Sequence, residues 1–212
     1  MIKAFKGLAL CAGFFFIAAL STADSFDEGI EYKLVMPPVK SSTPGKIEVV
    51  EMFWYGCPHC YNFEPKLLKW KESMPENVEF VRIPAIFQDR AVWELHARAF
   101  YAAELLGILD KSHQATFDYL HKQRKHLHNE DELASFYSQF GVDKQVFKDT
   151  LRSFGVEMKI NRARDLTHRY KIDGVPSLIV NGKYRTHASL TNGQAGMLKV
   201  VDFLIEKESS GK

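Results

Sequence analysis

The sequence predicts an α/β fold: a mixed β-sheet with helices on both faces and an all-helical block inserted between its strands. Three observations carry this. Residues 47–55 and 78–83 are apolar, β-rich runs separated by one amphipathic helical stretch, which is the layout of a parallel βαβ unit. From about Arg90 to Tyr170 only successive amphipathic helical stretches are found, with no convincing strand. Strand character then returns at residues 177–180, and Asn181-Gly182 gives a two-residue turn signal into residues 183–186. Sheets of this order solve the burial problem by carrying helices on both faces.

Taken from the start, residues 1–23 read as a secretory signal peptide. Lys3 and Lys6 form a basic region, Leu8 to Leu20 an apolar one, and Ser21-Thr22-Ala23 a small-residue cleavage site. The apolar run is short for a membrane span. Cys11 lies inside it after Leu10, not after a small residue, and is expected to leave with the signal rather than carry a lipid. Without Lys3 and Lys6 the formal charge of +2 falls to zero, so the mature chain has no electrostatic footprint for nucleic acid or an anionic membrane surface.

Residues 24–46 are a lead-in with a short strand near residues 32–35 and a Pro/Ser/Gly-rich connection. Residues 47–55 show too little alternation for a half-exposed strand and read as a central one. Residues 58–74 are helical, with Phe63, Leu67, Leu68 and Trp70 as apolar positions and Pro65 as an expected kink. Pro84 ends the next strand. The block that follows divides into helices over about 91–109, 112–125, 130–140, 144–154 and 158–170, with Gly141 and Gly155 as stops and Asp143 as an N-cap. A last helix covers about 194–207. The expected partition is 24–88 with 171–212 as the sheet domain and 89–170 as the inserted helical domain.

The chemistry centres on Cys57-Pro58-His59-Cys60, directly after the central strand. Both cysteines fit the first turn of a helix, close enough for a disulfide. Cys57 would be exposed at the positive end of the helix dipole, where a thiolate is favoured, and Cys60 would be the more buried resolving thiol. A structural staple and a metal site are the competing uses. A loop this small gains little as a staple, and zinc wants four ligands where no second cysteine pair exists. His59, as an imidazolium, would lower the Cys57 pKa and make the disulfide oxidising.

Glu51 stands in the most apolar strand, where an ionised carboxylate is costly without a partner. Arg82 on the neighbouring strand is placed to pair with it, and Glu51 could then accept the Cys60 proton through water. A purely structural ion pair or an outward-facing side chain is the alternative. Glu64, one turn beyond Cys60, is a weaker member of the cluster. Gly174-Val175-Pro176-Ser177 opens a strand with proline; a cis Val175–Pro176 bond would present the Val175 backbone beside Cys57, where an extended substrate could pair. The histidines and bases of residues 121–128 read as a solvated helix face without a role.

With these residues together, the chain resembles the DsbA-type thiol–disulfide oxidoreductases of the thioredoxin superfamily. The similarity lies in Val50-Glu51-Met52-Phe53, Cys57-Pro58-His59-Cys60-Tyr61, Pro65, and Gly174-Val175-Pro176 followed by Val180-Asn181-Gly182-Lys183-Tyr184. Pro58-His59 between the cysteines is characteristic of the family, and Glu51 and Arg82 fall where it has a buried acid and a basic partner. The resemblance implies a thioredoxin-like mixed β-sheet with an inserted all-helical domain, and a periplasmic oxidase. It further implies a disulfide donated to unfolded or reduced exported proteins, no cofactor or metal beyond the Cys57–Cys60 disulfide, and a membrane, quinone-linked reoxidase of the DsbB type. A disulfide isomerase or reductase, and a non-enzymatic chaperone-like binding module, are the alternative functions.

Overall fold

The computed structural model describes residues 25–87 and 90–211; the signal-peptide expectation for residues 1–23 and Cys11 lies outside them. Five strands form one sheet in the order β1-β5-β4-β2-β3. These are β1 (Lys33–Leu34), β2 (Ile47–Phe53), β3 (Val78–Pro84), β4 (Ser177–Val180) and β5 (Tyr184–His187). β2 pairs parallel with β3 and antiparallel with β4, so it is central, and every one of its side chains is buried. That is why it lacks alternation: both its faces are covered.

Helix α1 (Pro58–Glu72) links β2 to β3, and α7 (Gly193–Ser209) packs beside it on the same face. Ile47, Val49, Leu178 and Val180 meet Phe63, Leu67, Val200 and Leu204 there. The opposite face, through Val50, Met52, Ile83 and Ile179, joins a core that runs on into the helices between β3 and β4. These are α2 (Ala91–Leu105), α3 (Leu109–His121), α4 (Glu130–Tyr137) with a 3-10 turn at Ser138–Phe140, α5 (Lys144–Leu151) and α6 (Phe154–Arg169). The helical block therefore shares its apolar core with the sheet.

Capping chemistry moved several boundaries. Asp143 caps α5, accepting from Gln145 N–H at 2.8 Å and Val146 N–H at 3.2 Å, and Gly141 ends the preceding turn at φ 91°. Gly155 is not a stop: Ser153 caps α6 and puts Gly155 inside its first turn, so this helix starts four residues ahead of the expected 158. Gly107, at φ 69°, divides α2 from α3 earlier than expected. α3 ends at His121, and the basic stretch after it is not helical. Leu68, expected among the apolar positions of α1, is exposed at the rim of a cleft.

In the β4–β5 turn Asn181 and Gly182 both have positive φ, 50° and 64°, and Lys183 N–H donates to Val180 C=O at 3.0 Å. Strand pairing resumes one residue later, at Val180↔Tyr184. Gly182 is needed twice over, because a Cβ there would lie 1.9 Å from the Val39 carbonyl oxygen.

Candidate active site

The parallel strand β2 delivers the chain to a tight turn, Trp54-Tyr55-Gly56, closed by Cys57 N–H donating to Trp54 C=O at 3.0 Å. A side chain on Gly56 would collide with the Trp54 ring at 2.3 Å. Cys57 is then the N-cap of α1 in an extended conformation, and Pro58 opens the helix, where a missing N–H costs nothing. The Cys57 sulfur takes the role that a Ser or Asp oxygen has at other helix starts: Cys60 N–H donates to it at 3.4 Å.

Cys57 is only 7% exposed, less than a nucleophile at a helix start was expected to be, because its sulfur turns back over the first turn and beneath the Val175 carbonyl. The two lie 3.4 Å apart, the thiol donating to Val175 O. The Val175–Pro176 peptide bond is cis. Pro58 and His59 face solvent, and His59 C=O accepts from Gln194 Nε2 at 2.7 Å, tying the site to α7.

Both cysteines are free thiols here, and their surroundings push them apart. Hydrogen bonding from Cys60 brings Cys57 from the ordinary thiol value of 9.0 down to about 6, against the opposing effect of burial, with backbone N–H groups and the His59 charge adding to the fall. Cys60 is completely buried, and burial, followed by the Cys57 sulfur, holds it well above the ordinary range. At neutral pH one sulfur is a thiolate and the other keeps its proton.

Beneath Cys60 lies a charged cluster in the apolar interior. Glu51 and Arg82 are register partners on β2 and β3, and Arg82 Nε donates to Glu51 Oε2 at 3.0 Å. A second guanidinium nitrogen of Arg82 is bonded to Glu64 of α1. The carboxylates are 1% and 2% exposed. Burial raises the Glu51 pKa beyond what Arg82 recovers. Burial also works against Glu64, yet the facing His113 ring and the Arg82 guanidinium hold it below the usual range. Two acids thus share one guanidinium, one readily ionised and one inclined to keep a proton.

The helical block supplies groups that sequence reasoning missed. His113 on α3 is hydrogen-bonded through Nδ1 to Tyr55 Oη at 2.9 Å and faces Glu64 Oε1 at 3.7 Å. His121 is no part of a solvated face: its Nε2 bonds Tyr55 C=O at 2.8 Å and its ring stacks on Tyr61 at 5.0 Å. It was misread because a helix end that looks polar from its neighbours here docks on the turn before Cys57. Leu127 is also buried, and its carbonyl bonds His96 Nε2 at 3.0 Å, while Lys122 to His126 and His128 are exposed. Trp93 stacks face to face on Trp54, centroids 4.2 Å apart. None of these contacts leaves a local signature, because partners lie far apart in the chain.

A cleft of about 500 Å³ between α1, β3 and α3 reaches Glu64, Arg82 and His113. A larger one, about 910 Å³, lies along α6 and is lined by Ile86, Phe87, Arg164 and His168. Neither contains the cysteines. Among the described residues no cluster of ligating side chains could hold a metal ion, and no helix is long and apolar enough to cross a membrane.

A strand–turn–helix carrying a reactive and a buried cysteine at this spacing, opposite a cis-proline that leads into a strand, defines a thiol–disulfide oxidoreductase on a thioredoxin-type sheet. The comparisons agree. The profile of the DsbA-like thioredoxin domain matches residues 48–202. The thiol:disulfide interchange protein DsbA of Pseudomonas aeruginosa is 44% identical over 186 residues, covering 88% of this chain and 87% of its own. That of Azotobacter vinelandii is 42% identical over 194 residues, 92% of this chain and 89% of its own. The crystal structure of Pseudomonas aeruginosa DsbA superposes with a TM-score of 0.82 at 43% identity, covering 88% of this chain and 96% of that one. DsbA from Xylella fastidiosa gives 0.79 at 33% identity, covering 85% and 96%. The chain belongs to the DsbA family, and it is a protein disulfide oxidoreductase that works through a cysteine pair.

Proposed function

We propose that the protein is an oxidase that introduces disulfides into reduced or unfolded exported polypeptides in the periplasm. It would be delivered there by residues 1–23 as a cleavable signal and reoxidised by a quinone-linked membrane enzyme of the DsbB type. The observation that carries the direction of electron flow is the contrast between the two sulfurs. A Cys57 thiolate held at about pKa 6 by Cys60 and the helix start stabilises the dithiol form and is a good leaving group, so the disulfide gives itself up readily.

In this mechanism a substrate thiolate attacks Cys57 Sγ, the Cys57–Cys60 bond breaks, and the electron pair goes to Cys60 Sγ. Buried Cys60 takes a proton, for which Glu51, sharing Arg82 with Glu64, is the donor. A second substrate thiolate then attacks the substrate's own sulfur and expels Cys57 as thiolate. Pro58 and His59 favour that thiolate, and Val175 with Pro176 offers a backbone edge to an extended substrate beside Cys57. Residues 24–88 and 171–212 form the thioredoxin-like domain in this scheme, and 89–170 the inserted helical domain.

Cys60→Ser, expressed in an exporting cell, should accumulate mixed disulfides on Cys57, and alkylation of the wild type should find the pair mostly oxidised. A mostly reduced pair would instead favour an isomerase or reductase, and full activity in Cys57→Ser would leave only a binding module.

A further inference from the structure

Two buried polar atoms at the inner end of the smaller cleft have no protein partner: His113 Nε2 and Glu64 Oε2. Their residues are 7% and 2% exposed, and buried polar atoms in folded proteins are nearly always paired. Here both border the same cleft. His113 Nδ1 is fixed by Tyr55 Oη at 2.9 Å, which aims Nε2 toward Glu64 Oε1 at 3.7 Å, beyond a direct hydrogen bond but within reach of a shared water. The ring is wedged among Phe53, Phe100 and Phe117, so its orientation is not free.

We propose that this cleft is the proton port of the active site and that His113 is the residue that carries protons between solvent in the cleft and the Glu64–Arg82–Glu51 cluster under Cys60. The proposal rests on the thiol–disulfide exchange reading above. Opening the Cys57–Cys60 bond by a thiolate leaves a negative charge on Cys60 Sγ and consumes one proton. Glu51 supplies it through water, and His113 with Glu64 replaces it from the cleft, so one proton enters by the cleft for each disulfide opened, and it appears as net uptake from solvent when the attacking substrate is already a thiolate. In the reverse direction the proton of Cys60 leaves by the same path. His113 is a positioning and relay group, since it touches neither sulfur. The charged and titratable groups that face it are Glu64 and Lys71 from α1, Arg82 from β3, Tyr55 from the turn after β2, and Asp110 from its own helix, with Glu104 of α2 at the rim of the cleft. Burial, ahead of the opposing pull of Glu64, keeps the imidazole below its ordinary value, so it is neutral and able to accept at neutral pH.

The test uses oxidised mature protein, mixed with an equimolar reduced peptide carrying a single cysteine, in weakly buffered solution at a pH above the peptide's thiol pKa so that the attacking group is already a thiolate. Tryptophan fluorescence follows disulfide opening and a pH-indicator dye follows proton uptake. In the wild type the two traces coincide. In His113→Gln and His113→Ala uptake should lag opening by about tenfold, less than the ~10²-fold or more that direct general acid–base contact contributes. Imidazole added to His113→Ala should remove the lag, which a merely structural role would not allow. Coincident traces in both variants, or a lag that imidazole leaves untouched, would overturn the proposal. His113→Gln, which keeps an amide in place of the ring nitrogens, decides the matter alone if the alanine variant does not fold. Failure of the wild type to open at all would sink the exchange reading and the port with it, whereas normal opening without a lag in the variants sinks the port alone.

Discussion

The segment from β2 to β3 and the helical block between β3 and β4 contribute to one site in different ways. The first carries the reacting sulfurs and the charges beneath them, spaced by short-range rules: Cys57 and Cys60 on one helical turn, Glu51 and Arg82 in strand register. The second carries no sulfur and no charge into the cluster. It contributes His113, His121 and Trp93, each from an apolar helix face, and these hold the turn before Cys57 from outside. The difference separates reactivity, which is set locally, from the rigidity of the frame, which is borrowed from a distant part of the chain.

Substitutions can break that separation, and the largest effect is expected in the first region. Arg82→Met would leave Glu51 and Glu64 buried side by side without a cation, at a cost of about 3–5 kcal/mol of stability near neutral pH. Urea denaturation should show the loss shrinking as pH falls, because both acids then bind protons in the folded state; a pH-independent loss would mean the cluster is not ionic.

Cys57 gives the next effect. Its pKa in the folded dithiol form is depressed from 9.0 to about 6, so the stabilisation it adds is complete above pH 9 and lost as pH falls through 6. Three pKa units correspond to about 4 kcal/mol over that window and about 1.4 kcal/mol at pH 7. The stability of the reduced protein relative to the oxidised one should therefore fall from pH 9 to pH 5, as unfolding curves of the two forms would register. Parallel pH profiles would contradict the assignment.

The helical block should act more gently. His121→Ala removes a hydrogen bond to Tyr55 C=O and a ring stack, for an expected loss of about 1–3 kcal/mol. The thiolate absorbance titration of Cys57 should stay near 6; if it moved upward, the block would be setting reactivity and the comparison would fail. His59→Ala closes the series. Its charge ranks last among the causes that lower the Cys57 pKa, so the titration should rise by a fraction of a unit only, with the stability of the oxidised form unchanged.

The same contrast explains what could be read in advance. The sheet, its parallel unit and the hairpin followed from patterns of two to seven residues. Glu51 and Arg82 were legible because a carboxylate in a strand of apolar residues demands a partner, and a parallel neighbour offers one position for it. His113 and His121 were not legible. A histidine on an amphipathic helix reads equally well as core or surface, and Tyr55 lies 58 and 66 residues away from these two partners. Gly155 misled for a related reason: Ser153, two residues earlier, caps the helix and makes the glycine ordinary.

The Trp54–Trp93 stack has an optical consequence. These rings, 4.2 Å apart and 9° from parallel, join the turn before Cys57 to the first turn of α2, whereas Trp70 sits far along α1, its indole N–H bonded to Asp202 of α7 at 2.7 Å. The three indoles therefore watch two different seams of the molecule. Separating the helical block from the sheet would uncouple the first pair and leave the third untouched. Near-ultraviolet circular dichroism of single Trp→Phe variants would then tell a loosening beside the cysteines from unfolding of the whole chain.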